Sequence, residues 1–281
     1  IEDIPQDMSR FYPEGYYSLG QKERRQAGRI ARRLKKQRAK HILGRRSITG
    51  WIALKAFGPP SLPGWMRHVD MTLGSSILDL GCGRGSLLGY LAAQGFERLS
   101  GADPHIDEDL DFDDGVKIYK ASLDKIEGEY DFILMNHSLE HMPDQRSVMS
   151  GVVKRLSAGG KVVIRIPLVS SDAWREYGVD WVQLDAPRHL FLHSERSMFI
   201  LAEESGLSVR SVEYDSTAFQ FWGSEQYRRG MALTGEDSYM VSPDRSMFTS
   251  DDMARFEDKA RRLNETGSGD QACFILERIK G

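Results

Sequence analysis

From Ser75 onward the chain alternates short apolar runs with amphipathic stretches, and the two periods belong to different elements. The runs at 76–80, 98–103, 116–120, 130–135 and 161–166 read as strands. Between and after them the spacing predicts helices over 85–94, 144–156 and 195–205, the last begun by Ser194 and ended by Gly206. Strands at 207–214 and 272–279 complete the set. The segment 222–270 between them predicts two helices, 224–232 and 251–264, and a Gly-Ser turn at 267–269. This alternation points to an α/β domain: a parallel sheet with crossover helices.

The front of the chain follows another pattern. Residues 1–20 are rich in Tyr and Pro and read as irregular. From Gln21 to about Arg46 helix formers dominate, with Ala27, Ile30, Ala31, Leu34 and Ile42 near one face. Trp51 to Phe57 predicts a short helix stopped by Gly58-Pro59-Pro60, and Pro63-Gly64 marks the passage to the body. The expected division is an N-terminal lid and basic helical arm at 1–68, then a body at 69–281 carrying the insertion at 222–270.

Charge sharpens that division. The 281 residues sum to −3, yet residues 21–46 hold twelve Lys/Arg against one Glu. The arm is therefore +11 and the rest of the chain −14. Two cysteines, Cys82 and Cys273, make no disulfide framework and suggest a reducing, cytoplasmic setting. The longest apolar runs, such as Ile133 to Met135, fall far short of the ~20 residues a spanning helix needs. The chain opens on Ile1 rather than Met, which leaves a trimmed leader open.

The chemistry concentrates at Leu78-Asp79-Leu80-Gly81-Cys82-Gly83-Arg84-Gly85, between the first strand and its helix. Glycines there let the backbone turn tightly and approach a ligand, and a helix N-terminus offers free N–H groups. A dinucleotide fits poorly. Ser86 stands where the third glycine of a dinucleotide loop belongs, and Asp79 would repel a pyrophosphate while favouring a cationic amine. Asp103 closes the second strand, placed to accept hydrogen bonds from ribose hydroxyls. A ligand with an ammonium group and a ribose suits both carboxylates.

With Gly101-Ala102-Asp103-Pro104, the run from Tyr130 to Met142 and the run from Leu156 to Pro167, this motif resembles the class I S-adenosylmethionine-dependent methyltransferases over about residues 70–215. The resemblance implies a Rossmann-like, doubly wound, mostly parallel seven-stranded sheet with an antiparallel last strand, here with a helical N-terminal appendage. It implies S-adenosylmethionine as cofactor and S-adenosylhomocysteine as product. By the same resemblance Gly81, Cys82 and Gly83 hold the methionine moiety with Asp79 nearby, Asp103 binds the ribose, and Pro104 lies near the adenine. Ser122 and Leu123 would contact the adenine edge, and Asn136 and His137 line the methionine side. Cys82 is expected to be a small loop residue rather than a nucleophile. The segments Tyr12 to Tyr17 and Asp180 to Leu190 further resemble methyltransferases found with bacterial surface-polysaccharide and glycan genes, which implies a saccharide or other small-molecule acceptor.

Methyl transfer from a sulfonium is an in-line displacement, and a hydroxyl acceptor needs a base whereas an amine needs only to be neutral. His137, Glu140 and His141 share one face of a helical turn. They read as a loop brace, as a base, or as a metal site, because some ubiquinone-pathway O-methyltransferases carry Glu-x-x-Glu-His here; His137 replaces the first Glu, and no metal is expected. Asp185, Arg188, His189 and His193 form a second cluster, read as a structural turn or as an acceptor pocket with Asp185 or His189 as base and Trp181 as a sugar platform. Candidate catalytic residues are thus His141, His137, Asp185 and His189. Tyr16 and Tyr17 are read as a lid or as packing, and the acidic stretch 107–114 as a solvated loop in place of a helix. The arm through residue 66 is read as a peripheral membrane-surface contact at the inner face, as a solvated helix against the body, or as a homodimer contact; the acidic body weighs against nucleic acid. The functional expectation is methyl transfer to a hydroxyl or amine of a saccharide or other small molecule. A ubiquinone-type O-methyltransferase and a non-catalytic, cofactor-binding scaffold are the alternatives.

Overall fold

A computed structural model describes residues 5, 9–11, 29–43, 47–58, 64–67 and 69–279. The expected lid at Tyr12 to Tyr17, and residues 21–28 and 44–46 of the arm, lie outside the described residues. Two helices come first, α1 (Arg29–Ile42) and α2 (Ile48–Phe57). Then follow β1 (Ser76–Leu80), α3 (Ser86–Gln94), β2 (Arg98–Ala102), β3 (Leu110–Asp111), β4 (Lys117–Tyr119) and β5 (Tyr130–Asn136). The remainder is α4 (Gln145–Arg155), β6 (Leu156–Pro167), α5 (Asp172–Tyr177), α6 (Glu195–Glu204), β7 (Leu207–Tyr214), α7 (Phe219–Arg228), α8 (Ser250–Glu265) and β8 (Gln271–Arg278).

These strands form one sheet in the order β3-β4-β2-β1-β5-β6-β8-β7. Pairs β4-β2, β2-β1, β1-β5 and β5-β6 are parallel, whereas β8 runs antiparallel between β6 and β7. The period-two geometry of a strand sends successive side chains to opposite faces, and both faces here are apolar. Leu78, Ile133, Val162 and Ile164 join Met149 of α4 and Met198 of α6 on one side. Ile77, Phe132, Leu134 and Val163 join Leu88 and Leu91 of α3 on the other, with Ala39 of α1, Trp65 and Met66 in the same cluster. Burial on both faces explains the apolar runs of β1, β5 and β6.

The α/β Rossmann-like fold holds, with differences that have local causes. Among the described residues there are eight strands rather than seven: Leu110 and Asp111, inside the acidic stretch expected to be loop, pair antiparallel with Ile118 and Lys117. α4 ends at Arg155 and β6 begins at once, because Leu156 pairs with Tyr130 before a bulge that includes Gly159 at φ 77°. α5 was not predicted from the pattern; Ser171 caps it by accepting from the Trp174 N–H at 3.2 Å. α7 starts at Phe219, before the expected residue 224. Trp181, read as a sugar platform, is fully buried in a third cluster with Tyr177 and Phe221.

The strand order reverses between β2-β1 and β5-β6, and in open α/β sheets that is where a crevice opens at the carboxyl ends of the strands. The loops after β1, β2 and β5 flank it.

Candidate active site

The glycine loop is built for close approach. Gly81, Gly83 and Gly85 have φ of 71°, 53° and 73°, the left-handed region that favours glycine. A Cβ on Gly81 would run into the Ser138 side chain. Ser138 in turn donates from Oγ to the Leu80 carbonyl at 2.7 Å, tying the loop after β5 to the end of β1.

Asp103 clamps the opposite side. Its Oδ2 accepts from the Gly83 N–H at 2.8 Å and its Oδ1 from the His105 N–H at 2.8 Å. Each carboxylate oxygen keeps a second lone pair for a ligand hydroxyl. Asp79 is buried, and burial, reinforced by the Asp103 carboxylate, pushes its pKa up to about 8. A buried acid held above its ordinary range returns to the charged form when a cation arrives. Burial, then Asp79 and Asp103, pushes the Cys82 thiol up, so it is no ready nucleophile. Of the expected adenine contacts, Pro104 is exposed after β2 and Ser122 is exposed with its hydroxyl on Asp124. Leu123 packs its side chain into the core beside Gly151.

Beyond β5 the structure merges the two polar clusters that the sequence kept apart. His137 adopts φ 52° and donates its N–H to the Arg165 carbonyl at 2.8 Å. Arg165 Nη1 donates to His137 Nε2 at 2.8 Å. A guanidinium only donates, so the remaining His137 proton sits on Nδ1, facing Glu140 Oε1 at 3.5 Å. Arg165 is itself paired with Asp215 at 2.5 Å and lies 3.5 Å from Asn136 Oδ1. Asn136 is exposed at the strand end.

Glu140 is the centre of this group. Its carbonyl accepts from the Leu190 and Phe191 N–H groups at 2.9 and 3.2 Å, which draws the 185–191 turn against it. Its side chain is 1% exposed, and among the described residues neither carboxylate oxygen has a hydrogen-bond partner. Burial opposes its ionisation, but His137, His189 and His141 around it hold the pKa below the ordinary glutamate value. The 3.5 Å approach of His137 is thus an electrostatic contact rather than a short hydrogen bond.

His141 Nδ1 meets the Arg188 carbonyl at 2.9 Å, and His189 Nδ1 meets the Gln183 carbonyl at 2.8 Å. A carbonyl accepts, so both rings carry their proton on Nδ1 when neutral and present a basic Nε2. His189 Nε2 lies 4.0 Å from Glu140 and 3.7 Å from Asp185. Burial lowers the His189 pKa against the pull of Glu140. Asp185, at φ 42°, is engaged by the Arg188 guanidinium through Nε at 3.0 and 3.1 Å and through Nη2. That bidentate pair occupies the carboxylate proposed from sequence as a base. His193 stands apart, between Gln145 and Ser197 at 2.9 and 3.1 Å. Trp181 donates from Nε1 to Asp270 at 3.0 Å, and Gln183 donates to the same carboxylate at 2.7 Å.

Donor atoms of Glu140, His141 and His189 all lie within 4.8 Å of one another. An orphaned buried carboxylate with two imidazoles whose Nδ1 atoms meet backbone carbonyls fits a divalent cation as well as it fits a proton relay.

Arg165 and Asp215 escaped the sequence reading. The available signal was an arginine inside the apolar run Val162 to Ile166, which a strand buried on both faces accepts only when the charge has a partner.

A family model described as methyltransferase domain matches residues 23–212. The chain belongs to this methyltransferase-domain family. The methyltransferase is 28% identical over 131 residues to a ubiquinone biosynthesis O-methyltransferase of Erwinia tasmaniensis, covering 43% of this chain and 54% of that protein. It is 28% identical over 134 residues to the protein of the same name from Pectobacterium atrosepticum, covering 43% and 56%. The methyltransferase therefore spans about half the length of these curated relatives. Among solved structures, it is similar to phospholethanolamine N-methyltransferase 2 of Haemonchus contortus, with TM-score 0.47, 17% identity and coverage of 99% and 61%. It is also similar to a geranyl diphosphate methyltransferase, with TM-score 0.46, 15% identity and coverage of 74% and 80%. Among the described residues no helix is long and apolar enough to cross a membrane.

Proposed function

We propose that the enzyme transfers the methyl of S-adenosylmethionine to a hydroxyl of a small-molecule acceptor, with His141 as the base. The observation that carries this reading is the cluster of Glu140, His141 and His189 beyond β5, whose donor atoms lie within 4.8 Å of one another around a buried carboxylate. Asp79 meets the cationic methionine portion of the cofactor and Asp103 the ribose, while Gly81, Cys82 and Gly83 form the cradle. Asn136 and His137, with Pro104, Ser122 and Leu123 on the adenine side, complete it.

The donor sulfonium needs only an aligned nucleophile, so positioning supplies most of the acceleration. His141, half-buried and held by the Arg188 carbonyl, takes the acceptor proton on its unprotonated Nε2. Glu140 then stabilises the imidazolium, as a buried carboxylate beside a histidine does. His189, with Nε2 4.0 Å from Glu140, adds a second imidazole beside that carboxylate. A divalent cation bound instead to Glu140, His141 and His189 would polarise the acceptor oxygen and lower its pKa.

For the acceptor, the resemblance of Asp180 to Leu190 to glycan-associated methyltransferases supports a saccharide. The ubiquinone O-methyltransferase relatives support a second reading, a phenolic hydroxyl on an aromatic ring. A cleft of about 980 Å³ lies along the end of β7 and is lined by Tyr214, Phe219, Trp222 and Arg261. Four strand spacings, roughly 19 Å, separate β7 from β1. This cleft therefore suits a distal part of an extended acceptor, not the reacting oxygen.

Label transfer from methyl-labelled cofactor to nucleotide sugars, lipid-linked saccharides and catechols distinguishes the readings. Labelled O-methyl sugar is the expected product; labelled O-methyl catechol replaces the saccharide reading with the phenolic one. Label on an amine overturns the hydroxyl assignment. Activity is expected to persist in EDTA, and its loss with recovery on adding a divalent metal would move Glu140, His141 and His189 from base to cation site.

A further inference from the structure

Helix α2 faces the wrong way for a helix of a globular surface. Its small residues, Gly50 and Ala53, point inward, and a Cβ on Gly50 would come 2.7 Å from both the Gln37 carbonyl and His41 Cβ of α1. Its large apolar residues point outward: Ile48, Trp51 and Ile52 are 79%, 52% and 53% exposed, and Phe57 at its end is 62% exposed. Positions 48, 51, 52 and 55 form one stripe at helical spacing, the fourth being an exposed Lys55 whose Nζ lies 6.0 Å from the Trp51 ring. Trp65 and Met66, which the sequence grouped with this segment, are buried in the body core and do not contribute.

The neighbouring helix supplies charge of one sign. α1 carries seven Lys/Arg and no acidic residue. Lys36 pairs with Glu97 of the body, while Arg38 donates to the Phe57 and Gly58 carbonyls at 3.0 and 3.1 Å. Arg38 thereby ties the end of α2 to α1, so the apolar stripe and the cationic helix are presented together. Two copies facing each other through this surface would oppose like charges. A nucleic acid would satisfy the cations but leave Ile48, Trp51 and Ile52 in water.

We propose that the α1–α2 hairpin docks on a bilayer of anionic phospholipid. Ile48, Trp51 and Ile52 enter the boundary between headgroups and acyl chains, where an indole sits favourably, and the cations of α1 bind the headgroup phosphates. This proposal stands independently of the acceptor and the base.

The full chain is floated with vesicles of phosphatidylcholine alone and of phosphatidylcholine mixed with phosphatidylglycerol, at low and high salt. Flotation is expected only with the mixed vesicles, weakened by salt, and accompanied by a blue shift of tryptophan emission. The variant Trp51→Ser with Ile52→Ser should bind about tenfold more weakly or worse. Arg33→Glu with Lys35→Glu should lose the preference for anionic lipid. Both variants should keep the parent melting temperature and S-adenosylhomocysteine affinity, since none of these side chains belongs to the cofactor site. Absence of flotation with the mixed vesicles, equal flotation of the serine variant, or capture by tRNA without vesicle binding would each overturn the proposal.

Discussion

His141 and His189 lie edge to face, their ring centroids 4.8 Å apart, although 48 positions separate them in sequence. Each meets a backbone carbonyl through Nδ1, and Glu140 lies between their chain segments. If His141 removes the acceptor proton, His141→Ala should lower kcat by about 10²-fold or more. Affinity for S-adenosylhomocysteine in calorimetry should be unchanged. His189→Ala should cost less, and Asp185→Asn less again unless the Arg188 pair is needed to hold the turn. Full activity in all three variants would remove the base from this cluster.

Glu140 offers a separate test. Glu140→Gln preserves volume while removing the charge that favours an imidazolium beside it. The expected result is a fall in kcat of roughly tenfold or more with KM retained, because the charge acts after the acceptor proton moves. A change confined to KM would make Glu140 a substrate-pocket group instead.

Asp79 couples cofactor binding to pH. With its pKa near 8 in the unliganded protein, the group is mostly protonated at neutral pH, and a cationic ligand favours the charged form. S-adenosylhomocysteine affinity should therefore rise as pH approaches 8, with proton release measurable as a buffer-dependent binding enthalpy. The stability of the free protein runs the opposite way. The folded state holds the Asp79 proton while the unfolded chain loses it above the ordinary value of 3.8, so this contribution falls from there to about pH 8 and then levels. Asp79→Asn should bind the ligand about tenfold more weakly or worse, yet melt higher than the parent above that pH. A variant that loses both affinity and stability would mean Asp79 serves the fold.

Gly81→Ala tests the cradle. The alanine must adopt a φ that disfavours it and meets Ser138, a combination expected to cost about 1–3 kcal/mol of stability. Cofactor affinity should fall with it. Adding Ser138→Gly should recover part of the melting temperature, but not the part owed to φ.

Trp181→Phe distinguishes a core residue from a sugar platform. Losing the indole N–H leaves Asp270, a buried acid, without one of its donors, at an expected cost of about 1–3 kcal/mol. KM for the acceptor should not move. A selective rise in KM without destabilisation would restore the platform reading.

The sequence made most of the sheet legible, for a physical reason. Strands covered on both sides must be largely apolar, so Ile77 and Leu78, Phe132 to Met135 and Val162 to Ile164 stand out against the polar helices. The glycine loop was equally legible, because its backbone needs glycine itself. The two-residue strand Leu110–Asp111 was not, since a short acidic edge strand carries no periodicity. Nor was the meeting of residues 137–141 with 185–191, which depends on Glu140 accepting two backbone N–H groups through its carbonyl, a contact no side-chain pattern announces. Trp181 misled for the same reason: an aromatic residue among polar neighbours reads as a platform until its N–H partner, 89 residues downstream, is known.

That partner has one more consequence. Asp270, immediately before β8, holds both Trp181 and Gln183, while Gln183 through its carbonyl seats His189. The 181–190 turn is thus suspended from the start of β8, a strand that lies between β6 and β7. During synthesis His189 cannot be seated through Gln183 and Asp270 until β8 has emerged. Native-state hydrogen exchange should accordingly find the amides of 181–190 opening together with those of β8 as one cooperative unit.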